Sequence, residues 1–188
     1  MKYEVSIKKN GQKIIPILWV NGKEDMIDVT VKLVEEGAQC IIVGIFLGGE
    51  NKSVTFNTHV IHEAQKTKSL TTIRGVFKDH AGFNNDGLVK IDKGAKGADG
   101  YFASKILLFD DAKGRSVPSL EIDENDLKAG HASTVGRPDK QQLFYLQSRG
   151  IALKEAEQLL VKGFFQPVID LLPEKDRSII SQQIDNAL

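Results

Sequence analysis

Between Tyr3 and about Thr134 the chain is a series of short apolar runs spaced too closely for a helix to fit between any two of them. This spacing limits the possible folds more than any other feature. The runs centre near Val43, Val60, Ile73, Val89, Leu107, Leu120 and Ala129, roughly 10–17 residues apart. Between them lie Gly48-Gly49-Glu50-Asn51, Thr67-Lys68-Ser69, Asn84-Asn85-Asp86-Gly87 and Lys93-Gly94. Glycine turns a chain because it reaches positive φ, and Asn or Asp because its side chain bonds its own backbone. Parallel strands of a βαβ sheet need a crossover helix, so that fold is disfavoured, and a β-sandwich and a parallel β-helix remain. Gly75, Gly87, Gly94 and Gly97 recur as small residues at the expected bends, which favours the stacked coils of a solenoid. Its ends need caps, because a terminal coil presents unpaired backbone groups.

At Pro138-Asp139 the period changes. Asp139 is placed as an N-cap, Leu143, Phe144 and Leu146 follow at helical spacing, and Gly150 suits the residue after a helix end. A second helix is predicted from about Leu153, with Ala156, Leu159, Leu160, Gly163 and Phe164 as its apolar stripe. It ends at Gly163-Phe164-Phe165, where adjacent rings cannot both face one core, so one of them is a candidate exposed anchor. Pro167 and Pro173 punctuate the tail, and a last helix runs from about Glu174 to Asn186 with Ile179, Ile180 and Ile184 on one side. The expected organisation is a β core over 1–137 and a helical bundle over 138–188.

With 188 residues, 41% of them hydrophobic, the chain can bury a sizeable core. Basic and acidic residues balance at 25 each, so no net field draws the chain to nucleic acid or an anionic membrane. The opening Met-Lys-Tyr-Glu-Val-Ser-Ile alternates like a strand rather than a signal peptide, and the apolar run Cys40 to Leu47 is too short to span a bilayer. A cytoplasmic location is the expectation. A single cysteine forms no internal disulfide and no zinc site alone, and Cys40, set in Cys-Ile-Ile-Val, reads as a buried small hydrophobe. His59 and His62 stand three apart on a strand, which points them to opposite faces and breaks a zinc motif. Asp79, His80 and Asp86 read as solvated turn residues. A carbohydrate-active β-helix enzyme would need paired carboxylates and aromatic platforms, and the only Trp is Trp19. No Walker loop or Gly-x-Gly-x-x-Gly is present, so nucleotide binding by this chain is not supported.

The segment Asp-Leu-Lys-Ala-Gly-His-Ala-Ser-Thr-Val-Gly-Arg-Pro-Asp (126–139), continued by Leu-Phe-Tyr-Leu-Gln-Ser-Arg-Gly-Ile (143–151), resembles the SufB/SufD family, the scaffold proteins of SUF iron–sulfur cluster assembly. Val-Gly-Ile-Phe-Leu-Gly-Gly (43–49), Asn-Thr-His-Val-Ile-His (57–62), Arg-Gly-Val-Phe-Lys-Asp (74–79), Gly-Leu-Val-Lys-Ile (87–91), Leu-Leu-Phe-Asp (107–110) and Ser-Val-Pro-Ser-Leu-Glu-Ile (116–122) are similar to family segments in family order. The resemblance implies a mainly β fold, a right-handed parallel β-helix (β-solenoid) with a C-terminal helical bundle. Family members are usually longer, with an N-terminal helical region to which nothing here corresponds, so the resemblance implies either a short form or the excised core and tail of a longer protein.

The chain looks like the SufD side of the family. SufB-type scaffolds carry a cysteine near the position of Ser104 and a glutamate at that of Ala132, and SufD-type members often have Cys-Ser-His where this chain has Ala129-Gly130-His131. The thiol is replaced and the histidine is kept. By resemblance, His131 is a candidate ligand for iron or a transient iron–sulfur cluster at a shared interface, with no cluster bound stably by this chain alone. The alternative is a hydrogen-bonded histidine at the seam between β body and helices. The resemblance also implies a non-enzymatic protein that docks a SufC-like ABC ATPase through its helical tail. Arg149, Gly150, Ile151, Glu155, Phe164 and Phe165 are the candidate contacts, and the solenoid would pair with a SufB-like scaffold or with a second copy. A solenoid adaptor without SUF activity is a further alternative.

Overall fold

Along Met26–Leu33 and Ser53–His62 every second side chain is buried, the period of a strand with one face on a core. A computed structural model describes residues 1–188 and extends this pattern through ten strands. They are β1 (Lys2–Ile7), β2 (Gln12–Val20), β3 (Met26–Leu33), β4 (Gln39–Gly48), β5 (Ser53–His62), β6 (Lys68–Phe77), β7 (Gly82–Ile91), β8 (Ala98–Leu108), β9 (Lys113–Ile122) and β10 (Leu127–Gly136). Odd strands form one parallel sheet in the order β1-β3-β5-β7-β9, and even strands form a second, β10-β8-β6-β4-β2. Each odd–even pair is one coil of a β-solenoid of about five turns, and every coil pairs only with its neighbours. No helix is long and apolar enough to cross a membrane.

The two sheets face each other across an interior of Ile, Val and Phe side chains. Phe46 meets Phe56 and Phe83 at centroid separations of 4.8 and 5.0 Å, and Phe77 stacks on Phe83 at 5.1 Å. Two glycines expected at bends lie mid-strand instead. The Phe102 ring fills the place a Cβ would take on Gly87, and a Cβ on Gly75 would stand 2.9 Å from Ile106 Cδ1. For the same reason the expected turn Asn84-Asn85-Asp86-Gly87 is part of β7, with Asn85 buried and its Nδ2 donating to Phe56 O at 2.7 Å. The real corners use left-handed residues: Asn21, Glu50, Asp79 and Asp110 all have φ between 45° and 56°. Asp79 is more than a solvated turn residue. Its Oδ2 accepts from Glu50 N at 2.7 Å, and its own N–H donates to Asp110 Oδ2 at 3.2 Å, tying successive coils.

The helices are α1 (Lys140–Ser148), α2 (Leu153–Ile169) and α3 (Glu174–Ala187). Asp139 caps α1 by accepting from Gln141 N at 2.8 Å. At its end Gly150 N donates to Gln147 O and Ile151 N to Leu146 O, with Gly150 at φ 86°. This is the paired bonding of a Schellman motif, which glycine fits because the position is left-handed. Helix α2 runs four residues past the expected stop and contains Pro167. Pro167 and Gly163, the carbonyl it leaves unbonded, both lie on the exposed side, where water can bond that oxygen. The buried face of α2 therefore differs from the expected stripe. Val161, Phe165, Val168 and Ile169 are buried, while Leu159 is 46% exposed.

This face, with Ile180 and Ile184 of α3, covers Val43, Ile45, Leu47 and Val76 on the outer side of the even-stranded sheet. Helix α1 has no buried residue. The burial contrast generates a stability test. Phe165→Ala should cost about 3–5 kcal/mol, whereas Phe144→Ala, at a ring that is 72% exposed, should stay within about 0.5 kcal/mol. Urea unfolding of both variants measures this, and equal losses would mean that the helices do not rest on the sheet as described.

Candidate functional site

Two exposed regions carry side chains that the core does not use. The first is the open C-terminal end of the solenoid. Strands β9 and β10 pair on one side only, to β7 and β8. His131 stands in the middle of β10, in register with the buried Phe102. It shares a side of the strand with Leu127 and Ala129, which pack on the interior cluster. The imidazole thus faces the end of the interior, is exposed, and has no hydrogen-bond partner. This corrects the expectation of a seam histidine, since α2 and α3 rest on β2, β4 and β6 rather than on β10. A polar string leads inward from the same end. Ser104 lies 3.0 Å from Ser133 and 2.7 Å from Ser116, and Ser116 donates to Asn85 Oδ1 at 2.9 Å.

The four free strand edges are not alike. Strand β1 has six residues and carries Lys2 and Glu4, and β2 and β9 contain Pro16 and Pro118. Short length, charge and proline each discourage pairing with another chain. Strand β10 has ten residues, no proline, and Lys128 as its one Lys, Arg, Asp or Glu.

The second region is a groove of about 850 Å³ lined by Leu107, Arg137, Tyr145, Leu146, Leu160 and Phe164 among others. On its helices Phe144, Tyr145, Leu153 and Leu159 are exposed. Arg149 stacks on the Tyr145 ring at 5.3 Å and Arg74 on the Phe164 ring at 4.8 Å. Of the sequence-predicted contacts, Arg149, Gly150 and Glu155 are exposed, Ile151 and Phe164 are half-buried, and Phe165 is fully buried. Phe165 belongs to the core because it projects toward Val43 and Ile45, one helical step from Phe164. Phe144 and Tyr145 were missed as surface residues. Their place in an apolar run masked an orientation that only the packing of α1 on α2 decides.

The remaining candidates sort by burial. Cys40 is 3% exposed, and burial alone pushes its thiol up to about 12, so it stays protonated and neither attacks nor binds metal. Nowhere do three or more His, Cys, Asp or Glu side chains come together as a metal cage. An iron–sulfur cluster, which is held mainly by thiolates, therefore has no complete donor set on this chain. His59 is exposed on the outer face and His62 is fully buried, as the strand period requires. His80 Nδ1 lies 3.9 Å from Asp111 Oδ2 at the surface. Asp86 pairs with Arg115 at 2.9 Å, and Trp19 is 2% exposed with its Nε1 donating to Glu24 O, leaving no indole to stack on a sugar.

The chain's residues 3–164 match the family described as "SUF system FeS cluster assembly, SufBD core domain". The chain belongs to the SufBD family. Among similar proteins, the iron–sulfur cluster assembly protein SufD of Bacillus subtilis is 36% identical over 155 residues, which is 82% of this chain and 36% of that protein. A SufBD family protein of Mycobacterium leprae is 31% identical over 82% of this chain and 18% of its own length. One of Staphylococcus saprophyticus is 27% identical over 84% of this chain and 36% of its own. The chain thus spans about a third or less of these relatives. The family match over residues 3–164 takes in the solenoid, α1 and most of α2.

Of the histidines in this SufBD domain, His62 yields a pH test. Thr67 donates its hydroxyl to Ala64 O, so His62 Nδ1–H must donate to Thr67 Oγ1 at 2.8 Å, and Nε2 accepts from Ser69 Oγ at 2.8 Å. Burial lowers the ring to about 4 from its ordinary 6.5, opposed by Asp99. The unfolded chain takes up this proton first. The associated stability is therefore complete above pH 6.5 and declines as pH falls toward 4, by about 3 kcal/mol. Urea unfolding between pH 7 and 4 should show this slope in the native chain and not in His62→Gln. Equal slopes would rule out the assignment.

Proposed function

We propose that the chain is a non-enzymatic, SufD-like component of an iron–sulfur cluster assembly complex in the cytoplasm, with 1–137 as its pairing body and 138–188 as its docking region. One observation carries the reading: the only unprotected sheet edge, β10, holds a free histidine that faces the interior of the solenoid. An unpaired edge recruits another strand, and a neutral imidazole can lend one nitrogen to iron. The rest of the donor set comes from the chain that pairs there, a SufB-like scaffold or a second copy. The name of the B. subtilis relative, an iron–sulfur cluster assembly protein, supports the assignment. The iron–sulfur cluster is the cargo of such a site rather than a resident cofactor.

The groove between α1 and α2 serves as the docking surface for a SufC-like ABC ATPase. Exposed aromatic anchors beside a cationic side chain, here Phe144, Tyr145 and Arg149, are the residue types that dominate interface energies. The chain carries no phosphate-binding loop, so ATP chemistry lies with the partner.

Two outcomes test the proposal. Phe144→Ala combined with Tyr145→Ala should weaken ATPase binding at least about tenfold, equivalent to about 1.4 kcal/mol, without lowering Tm. Titration calorimetry that finds unchanged binding would remove the groove from the interface. His131→Ala should likewise leave Tm unchanged, because the ring has no partner to lose, yet reduce the iron–sulfur absorbance formed by the reconstituted complex. Normal cluster formation by a folded His131→Ala complex would end the ligand role.

A further inference from the structure

Where charged residues stand in register on neighbouring strands, their signs are opposite, with one exception. Lys2 stands beside Asp28, Lys68 and Lys128 flank Asp99, and Lys90 stands beside Glu121. The exception is Arg74 of β6 beside Lys105 of β8, on the outer side of the even-stranded sheet. Like charges placed directly side by side destabilise a sheet, and nothing in the chain offsets these two. Neither side chain has an ion pair or a hydrogen bond. Arg74 is half-buried and stacks on the Phe164 ring at 4.8 Å. Burial lowers its pKa from the ordinary value, yet a guanidinium stays charged. The one carboxylate on this face of the sheet, Asp99, lies six residues along β8 from Lys105 and already sits between two lysines.

A chain keeps an arrangement that its own fold disfavours where a functional site uses it. The position of the pair says which site. Phe164, on which Arg74 stacks, and Leu107 both line the groove beside α1 and α2. Leu107 is two residues from Lys105 on the same side of β8, so the two cations continue the groove onto the sheet. We propose that the docking surface extends from the groove to Arg74 and Lys105, and that the partner segment lying over them is acidic, presenting at least two carboxylates. This inference rests on the docking reading given above and adds the chemistry of what docks. Thr134, exposed and next in register to Lys105, offers a hydroxyl to the same carboxylates.

The shape of the face selects a protein over a small anion. Small ligands take concave sites, whereas the outer side of β8 is open from Tyr101 to Lys105, because α2 and α3 rest on β2, β4 and β6. Protein interfaces combine an apolar centre with a charged rim, the order in which the groove and the two cations follow each other. An anionic membrane is recognised by clusters of about four to eight cations, and this face holds only Arg74 and Lys105 apart from the lysines that flank Asp99.

The experiment is titration calorimetry of the full chain with the purified ABC ATPase at two salt levels. Native binding should weaken as salt rises. Lys105→Glu should weaken it at least tenfold and flatten the salt dependence, while Tm holds or rises, because opposite charges then stand in register. Arg74→Met keeps an apolar stem against Phe164 and removes the charge, and it should weaken binding at least fivefold. A lysine that served only the fold would lose Tm and affinity together, and that result for Lys105→Glu overturns the proposal. Native affinity in both variants, indifferent to salt, overturns the acidic contact and leaves the groove to be decided by Phe144 and Tyr145. A native chain that does not bind the ATPase overturns both readings. Binding of the native chain to phosphatidylglycerol vesicles, abolished by Lys105→Glu, overturns the protein partner in favour of a membrane surface.

Discussion

Everything in this fold depends on the parallel backbone ladder, in which each coil satisfies the N–H and C=O groups of the next. Partners in neighbouring coils are 26 to 31 residues apart in sequence, so almost no local contact stabilises a coil alone. The arrangement puts its strain and its loose ends in predictable places. Corners must turn within a few residues, which explains the left-handed Asn21, Glu50, Asp79 and Asp110 and their bonds to the coil beside them. The first and last coils must each leave two strand edges without a partner. Three of those edges are blocked in the sequence itself, and the fourth, β10, carries the exposed His131.

The second constraint is the outer face of the even-stranded sheet. Val43, Ile45 and Leu47 point outward from β4 and would be exposed if the chain ended after β10. Burying such side chains is worth about 1.5–3 kcal/mol each, which α2 and α3 provide. Helix α1 stands apart from this cover. It is held by an aspartate cap, a Schellman turn and contacts with α2, and its aromatic side chains remain in solvent. The tail therefore has two physical halves, one bound into the core and one presented outward.

Much of this was legible in the sequence, for identifiable reasons. The seven apolar run centres all fall within strands, because alternation is dictated by one buried face. Asp139 and Gly150 mark α1 correctly, because capping chemistry is local. Strand β2 is not legible as an alternating run because Ile14 to Val20 is apolar almost throughout, whereas β3, with Ile27, Val29, Val31 and Leu33 alternating with Asp28, Thr30 and Lys32, carries the pattern but is not among those runs. Gly75, Gly87 and Asn85 misled because a glycine or an asparagine inside a solenoid can answer to a ring or a carbonyl from the neighbouring coil, a contact that no local pattern records. The end of α2 lies beyond the expected Phe165 because an exposed proline, with the carbonyl of an exposed glycine left to water, costs the helix less than a buried one.

The placement of the candidate ligand follows from the same physics. A metal ligand must be deprotonated and reachable. Inside the solenoid no donor meets both: burial pushes the Cys40 thiol up to about 12, and the neutral His62 ring has both nitrogens taken by Thr67 and Ser69. On the outer faces His59 and His80 are reachable, but neither lies in a group of three donors. At the two terminal coils inward-pointing side chains remain open to solvent because no further coil covers them, and at the last coil one of these is His131. A site there is half-built by construction, one wall being the terminal coil and the other whatever strand next pairs with β10. In a protein of this shape the unsatisfied edge and the incomplete donor set are one feature, so the step that completes the ladder is also the step that could complete the site.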